Sequence, residues 1–229
     1  MNVHDIARPL KRILPELLFS PLRRAGTALV TPIRFSYSTG HFRSSLLARA
    51  VDVAGDVVPW YTFPMVDLLS NKQFHNKRVL EFGAGQSTQW WASRAESVLS
   101  LEDDQAWYES LLANKPGNVT LKLVTGASFA DDLTDEYDVI IIDGMDRLAC
   151  AKQCVNRLRP EGAIILDNAE GFWGKDGTFP IMDLFRSAAF QRVDFYGFAP
   201  GVSLRHCTSL FFKDRCFLFQ GTENPSRLQ

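Results

Sequence analysis

The chain has 229 residues, 46% of them hydrophobic and 12% aromatic; that fills the core of one α/β domain with a modest extension and is too short for two enzymes in tandem. This composition excludes global disorder, and 15 Gly with 11 Pro exclude a collagen-like or low-complexity chain. With 25 Lys and Arg against 26 Asp and Glu, the net charge of −1 lacks the basic excess of a general nucleic-acid binder, so none is expected as a partner.

Residues 1–43 read as a basic and apolar N-terminal extension, 44–220 as the domain, and 221–229 as a polar tail. In the extension Arg8, Lys11, Arg12, Arg23, Arg24 and Arg34 face Asp5 and Glu16, with Ile13, Leu14, Leu17, Leu18, Phe19 and Leu22 between them. Two readings stay open: a leader whose apolar face packs on the domain or on a second copy of the chain, or peripheral contact with an anionic membrane surface. Pro9, Pro15 and Pro21 interrupt any signal-peptide core, and no run approaches the ~20 apolar residues that span a bilayer. Cys150, Cys154, Cys207 and Cys216 form no metal spacing and fit a reducing, cytoplasmic location.

Helices are expected over 43–57 and 64–69. From residue 77 onward, strands at 78–82, 97–101, 119–124, 137–142 and 163–166 alternate with helices at 86–94, 104–113 and 147–158. Leu148, Ala151, Val155 and Leu158 carry the helical period of the last, and Pro160-Glu161-Gly162 ends it. A helix over 183–190 and strands over 191–196 and 208–219 follow. This order predicts a single α/β domain with a doubly wound, Rossmann-like, mostly parallel sheet and a C-terminal antiparallel strand pair.

The most informative segment is Val79-Leu80-Glu81-Phe82-Gly83-Ala84-Gly85-Gln86-Ser87-Thr88, a strand, a glycine turn and a helix start. Ligands of open α/β sheets bind at such carboxyl ends, where glycine lets them approach the backbone. A dinucleotide fingerprint would have a third glycine where Thr88 stands. Glu81, just ahead of the turn, would repel a pyrophosphate and attract an ammonium group. Glu102 ends the second strand, where a carboxylate can accept ribose hydroxyls; Asp103 and Asp104 suit the following helix N-terminus.

These residues resemble the class I S-adenosylmethionine-dependent methyltransferases from about residue 60 to 212, through VLEFGAGQST, LEDD, LVTGAS, YDVIIIDG and LRPEGAIILDN. Gly126-Ala127-Ser128, Asp143 and Asp167-Asn168 make the chain most similar to the small catechol-type O-methyltransferases. A branch of methyltransferase-like chains with an FGAGxST turn and a DGxxR segment is closer in detail. The resemblance implies in-line transfer of a methyl group from S-adenosylmethionine to a hydroxyl of a small-molecule acceptor. The implied cofactor contacts are Glu81, Gly83, Ala84, Gly85, Ser87 and Thr88, then Glu102 and Asp103, Ala127 and Ser128, and Asp143, with Trp107 a further aromatic candidate. It also implies a divalent ion such as Mg²⁺ on Asp143, Asp167 and Asn168, which would acidify the acceptor.

The lysine that the family often uses as a base is absent: Gly144-Met145-Asp146-Arg147 follows Asp143. The candidates for chemistry are therefore Asp143 itself, Arg147 as an anchor for an anionic acceptor or an ordinary surface cation, and His206 or His41 as a base. Residues 169–180, with Phe172 and Trp173 between glycines, read as a substrate lid or as aromatics packed on the sheet, and Trp60 and Tyr61 as cover for the same mouth. Of Trp90 and Trp91, one is expected in the core. Two rival functions remain at this point, a nicotinamide-dependent oxidoreductase and a cofactor-binding protein without turnover recruited through its basic extension.

Overall fold

Aliphatic runs build the sheet. Its strands are Arg78–Phe82 (β1), Ser97–Glu102 (β2), Val119–Leu123 (β3), Tyr137–Ile142 (β4), Leu158–Leu166 (β5), Gln191–Phe198 (β6) and Arg205–Phe212 (β7). The helices are Glu16–Ser38 (α1), His41–Leu47 (α2), Phe63–Ser70 (α3), Gln86–Ala92 (α4), Gln105–Leu112 (α5), Arg147–Arg157 (α6) and Thr178–Ser187 (α7). The computed structural model describes residues 15–124, 133–144, 146–171 and 178–221.

The strand order is β3-β2-β1-β4-β5-β7-β6. β1 to β5 run parallel, β7 lies antiparallel to β5, and β6 antiparallel to β7. The sheet is thus the expected mostly parallel one with a C-terminal antiparallel pair. The chain winds outward from β1 to β3 and returns to β4, so β1 and β4 flank the point where the strand order reverses. In open α/β sheets a ligand crevice forms there.

Alternating side chains divide the core. Val79, Val139, Ile141, Ala163 and Ile165 face Trp90 and Trp91 of α4 and Met65 and Leu69 of α3. Leu80, Ile140, Ile142 and Ile164 face Cys150 and Cys154 of α6 and Phe185 of α7. Both tryptophans are therefore core, where one was expected, and all four cysteines are buried thiols outside any disulfide.

Several boundaries differ from the expectation. The helix expected over 43–57 stops at Leu47, because Ala48 adopts a left-handed conformation (φ 48°) and a Val51–Val57 bridge follows. β5 begins at Leu158, ahead of the Pro-Glu-Gly run, and its register against β4 shifts between Tyr137 and Val139. The helix expected at 183–190 starts earlier, at Thr178. β7 ends at Phe212, and Phe217–Phe219 is a short 3₁₀ turn rather than strand. α1 runs through Pro21 and Pro32 and meets the domain through Phe35, edge-on to Phe63 at 5.5 Å. Among the described residues no helix is long and apolar enough to cross a membrane.

Candidate active site

The turn between β1 and α4 is shaped by two glycines with different tasks. Gly83 has φ +96°, and a Cβ there would lie 2.7 Å from the backbone of Gly144. The two strand ends thus touch backbone to backbone, which a side chain would prevent. Gly85 is extended, and a Cβ on it would meet nothing nearer than Ser87 Oγ at 3.8 Å. The space beside Gly85 is open.

Strand periodicity puts Glu81 on the face of Val79, beneath the first turn of α4. Ser87 and Thr88 donate to Glu81 Oε1 and Oε2 at 2.5 Å each, and Ser100, opposite Glu81 on β2, donates to Oε2 at 2.7 Å. The Gly85 N–H in turn donates to Thr88 Oγ1 at 2.9 Å. Burial pushes the Glu81 carboxyl up to about 7, and the three hydroxyl donors oppose that rise. Glu81 is wholly buried and braces the turn from below.

A cavity of about 620 Å³ opens above the turn. Gly83, Ala84, Gly85 and Ser87 line it, with Glu102, Asp103 and Trp107 from the β2–α5 side and Asp143, Arg147 and Asn168 from the ends of β4 and β5. Glu81 and Thr88 are not in its wall. Ala127 and Ser128 lie outside the described residues.

Glu102 holds the cavity's corner. Its Oε2 accepts the Ala84 N–H at 3.0 Å; its Oε1 accepts those of Asp103 at 3.0 Å and Asp104 at 2.9 Å. Burial raises its pKa, and these amides counter the rise. A carboxylate has about four acceptor sites, so one remains for a ligand hydroxyl. Asp104 caps α5 by accepting the Trp107 N–H at 2.8 Å, and the Trp107 indole N–H donates to Ala84 O at 2.8 Å, fixing the ring in the wall.

At the far side Arg147 acts as a clamp. Its Nη2 lies 3.2 Å from Asp143 Oδ1, its Nε donates to Gly144 O at 3.2 Å, and its Nη1 donates to Asp167 O. Burial pushes Asp143 up to about 6 against the pull of Arg147. Asp167 is raised further by burial and by the Asp143 charge, although Thr208 donates to its Oδ1 at 2.6 Å.

The donor set does not fit the divalent ion that the resemblance implied on Asp143, Asp167 and Asn168. One Asp143 oxygen faces a guanidinium, Asp167 is turned to Thr208 and lies outside the cavity wall, and Asn168 Nδ2 sits 3.3 Å from His206 Nδ1. Among the described residues no group of three or more His, Cys, Asp or Glu side chains is arranged to hold a metal ion. Arg147 supplies the positive charge at this position instead.

His206 Nδ1 lies 2.8 Å from Glu170 Oε1, whose other oxygen accepts the Cys207 N–H at 2.8 Å. The pair borders Asn168 behind the cavity wall. His41 is elsewhere: its Nδ1 accepts the Gly201 N–H at 3.3 Å among Phe35, Phe63 and Phe198. Trp60 lines the cavity and donates to Pro200 O at 2.8 Å. Tyr61 is buried, accepting from the Trp91 indole at 3.2 Å, so only the first of that pair covers the mouth. Of the expected lid, residues 172–177 lie outside the described residues.

Sequence reasoning missed Gln86, Asp146 and Leu148 in the cavity wall, and Glu170. Gln86 Oε1 accepts the Ala50 N–H at 2.9 Å, which ties the segment before β1 to the rim. Nothing local in the sequence signals that pairing. Asp146 had a signal, standing between Asp143 and Arg147, but its left-handed turn (φ 45°) is not readable from residue type.

No family model and no curated protein matches the chain. Among solved structures it is similar to precorrin-6y C5,15-methyltransferase of Geobacter metallireducens, at 16% identity and TM-score 0.52 over 66% of this chain and 87% of that one. The fold is that of the class I methyltransferases. A candidate O-methyltransferase of Klebsiella pneumoniae matches at 22% identity and TM-score 0.48, over 59% of this chain and 72% of that one. Spermidine synthase of Thermotoga maritima matches at 16% and 0.46, over 60% and 53%. At these identities the likeness is one of architecture, and the chemistry must be argued from the cavity's own residues.

Proposed function

We propose that the chain is an S-adenosylmethionine-dependent methyltransferase acting on a hydroxyl of a small-molecule acceptor. The observation that carries this reading is the charge of the cavity wall: Glu102, Asp103, Asp143 and Asp146 against Arg147. An acidic wall favours a ligand bearing a sulfonium and an ammonium group over the two phosphates of a dinucleotide. Glu81 no longer contributes to that distinction, since it lies under the turn and out of the cavity.

When bound, S-adenosylmethionine supplies an electrophilic methyl group. The open backbone at Gly85 would admit its amino-acid end, the spare acceptor site of Glu102 a ribose hydroxyl, and Trp107 a flat face for the base. Asp143, 30% exposed at the cavity wall, is the carboxylate placed to take the acceptor proton, and a value of about 6 suits a base working near neutrality. Arg147 orients it through Nη2 and fixes the β4 and β5 ends through two carbonyls. Aligning donor and acceptor in such a wall supplies up to roughly 7–11 kcal/mol of barrier reduction in favourable cases.

Titration calorimetry with S-adenosylhomocysteine and with NAD tests the reading: binding of the first and not of the second is expected, and tight NAD binding alone would overturn it. Release of S-adenosylhomocysteine in the presence of hydroxyl-bearing acceptors, with a chelator and with Mg²⁺, then tests the acceptor class. Turnover only with amine or carbon acceptors would refute transfer to oxygen.

A further inference from the structure

α1 presents an apolar face that the described residues leave uncovered. Leu18, Leu22, Ala25, Leu29 and Ile33 recur at three- and four-residue steps and so share one stripe of the helix. Leu22, Leu29 and Ile33 are 58%, 71% and 70% exposed. A contiguous apolar face of this kind on a folded chain marks an interaction surface.

The charge pattern selects the occupant. Residues 17–38 carry Arg23, Arg24 and Arg34 and no carboxylate. Arg23 and Arg34 are eleven residues apart, three helical turns, and so lie on one flank of the stripe, with Arg24 on the other side of the helix. A second copy on the same stripe would bring Arg23 and Arg24 against their like, with Glu16 at the helix start the one acid of α1 to offset them. An anionic lipid surface neutralises them while the stripe enters the headgroup boundary. Pro21 and Pro32 leave carbonyls without intrahelical donors, which the wet interface satisfies and a hydrocarbon core does not.

We propose that α1 docks the protein on an anionic membrane surface, its apolar stripe inserted and its arginines against the headgroups. The helix is tied to the cavity rim. Phe35 packs on His41 and Phe198, His41 Nδ1 accepts the Gly201 N–H, and Pro200 O accepts the indole N–H of Trp60 in the cavity wall.

Flotation of the full chain with vesicles tests this. Binding to mixed phosphatidylcholine and phosphatidylglycerol vesicles is expected, weakened by salt and absent on phosphatidylcholine alone. The combined variant Arg23→Glu, Arg24→Glu, Arg34→Glu should lower partitioning by at least about a hundredfold, since each surface cation contributes about fivefold. Leu22→Glu with Leu29→Glu and Ile33→Glu should abolish it, and affinity for S-adenosylhomocysteine should be unchanged in both variants. Equal binding to both vesicle types, or none, would overturn the proposal. So would a dimer in sedimentation velocity that the leucine and isoleucine changes dissolve, which would give the stripe to a second copy.

Discussion

Glu102→Gln separates the two tasks that the structure gives one carboxylate. Glu102 accepts three backbone amides on two oxygens, and an amide group of the same shape keeps one of those oxygens. Turned to serve Asp103 and Asp104, the new Nε2 meets the Ala84 N–H, donor against donor, at the corner of the cavity. Leaving that N–H without an acceptor costs about 1–3 kcal/mol of stability. Losing a charge-assisted bond to a ligand hydroxyl costs about 1.5–3 kcal/mol of binding, roughly 10- to 150-fold in Kd for S-adenosylhomocysteine. Urea unfolding reads the first loss and titration calorimetry the second. If stability falls while affinity stays within about twofold, Glu102 only braces the corner and the nucleoside lies elsewhere. If neither moves, the hydrogen bonds assigned to the corner are wrong.

Other outcomes follow from the same geometry. Gly83→Ala should destabilise by about 2–4 kcal/mol, because it needs a positive φ and sets a Cβ at 2.7 Å from Gly144; equal thermal stability would refute that packing. Gly85→Ala should leave the melting temperature unchanged yet weaken S-adenosylhomocysteine binding, since its open side faces the cavity; unchanged affinity would refute that placement. Glu81 has a folded pKa of about 7, above its ordinary 4.5, so the native state holds the proton more tightly and stability should fall as pH rises from about 4.5 to 7, by at most about 3 kcal/mol. Glu81→Gln should flatten that window in pH-dependent urea unfolding, and identical slopes would show that the carboxyl is not the titrating group. Arg147→Ala should destabilise by about 1–3 kcal/mol at pH 8 and less at pH 5, where Asp143 takes up a proton; a loss that does not vary with pH would refute the clamp as an ion pair.

The two acids of the candidate site show where sequence stops being sufficient. The strands, the glycine turn and Glu102 were legible because each is set by neighbours within a few positions: an apolar run, a turn that excludes side chains, an acid at a strand tip. Glu81 was visible by the same local logic but its partner was not. Strand parity alone puts Glu81 on the face of Val79, the face that α4 covers. What decides its fate is the parallel register that brings Ser100 opposite it, together with the Ser87 and Thr88 hydroxyls of α4. A buried carboxylate surrounded by three donors on its own chain has little need of a ligand's ammonium group. Asp143 and Arg147 repeat the point, since four-residue spacing at a helix start is compatible with an exposed pair or a clamp. The left-handed turn at Asp146 and the Gly83–Gly144 contact fold Arg147 back over the strand ends, and these are long-range facts that residue type does not carry. The acidic cavity wall survives both corrections. Its charge comes from Glu102, Asp103, Asp143 and Asp146, which line the cavity, so the case for a cationic ligand stands on these four acids without Glu81.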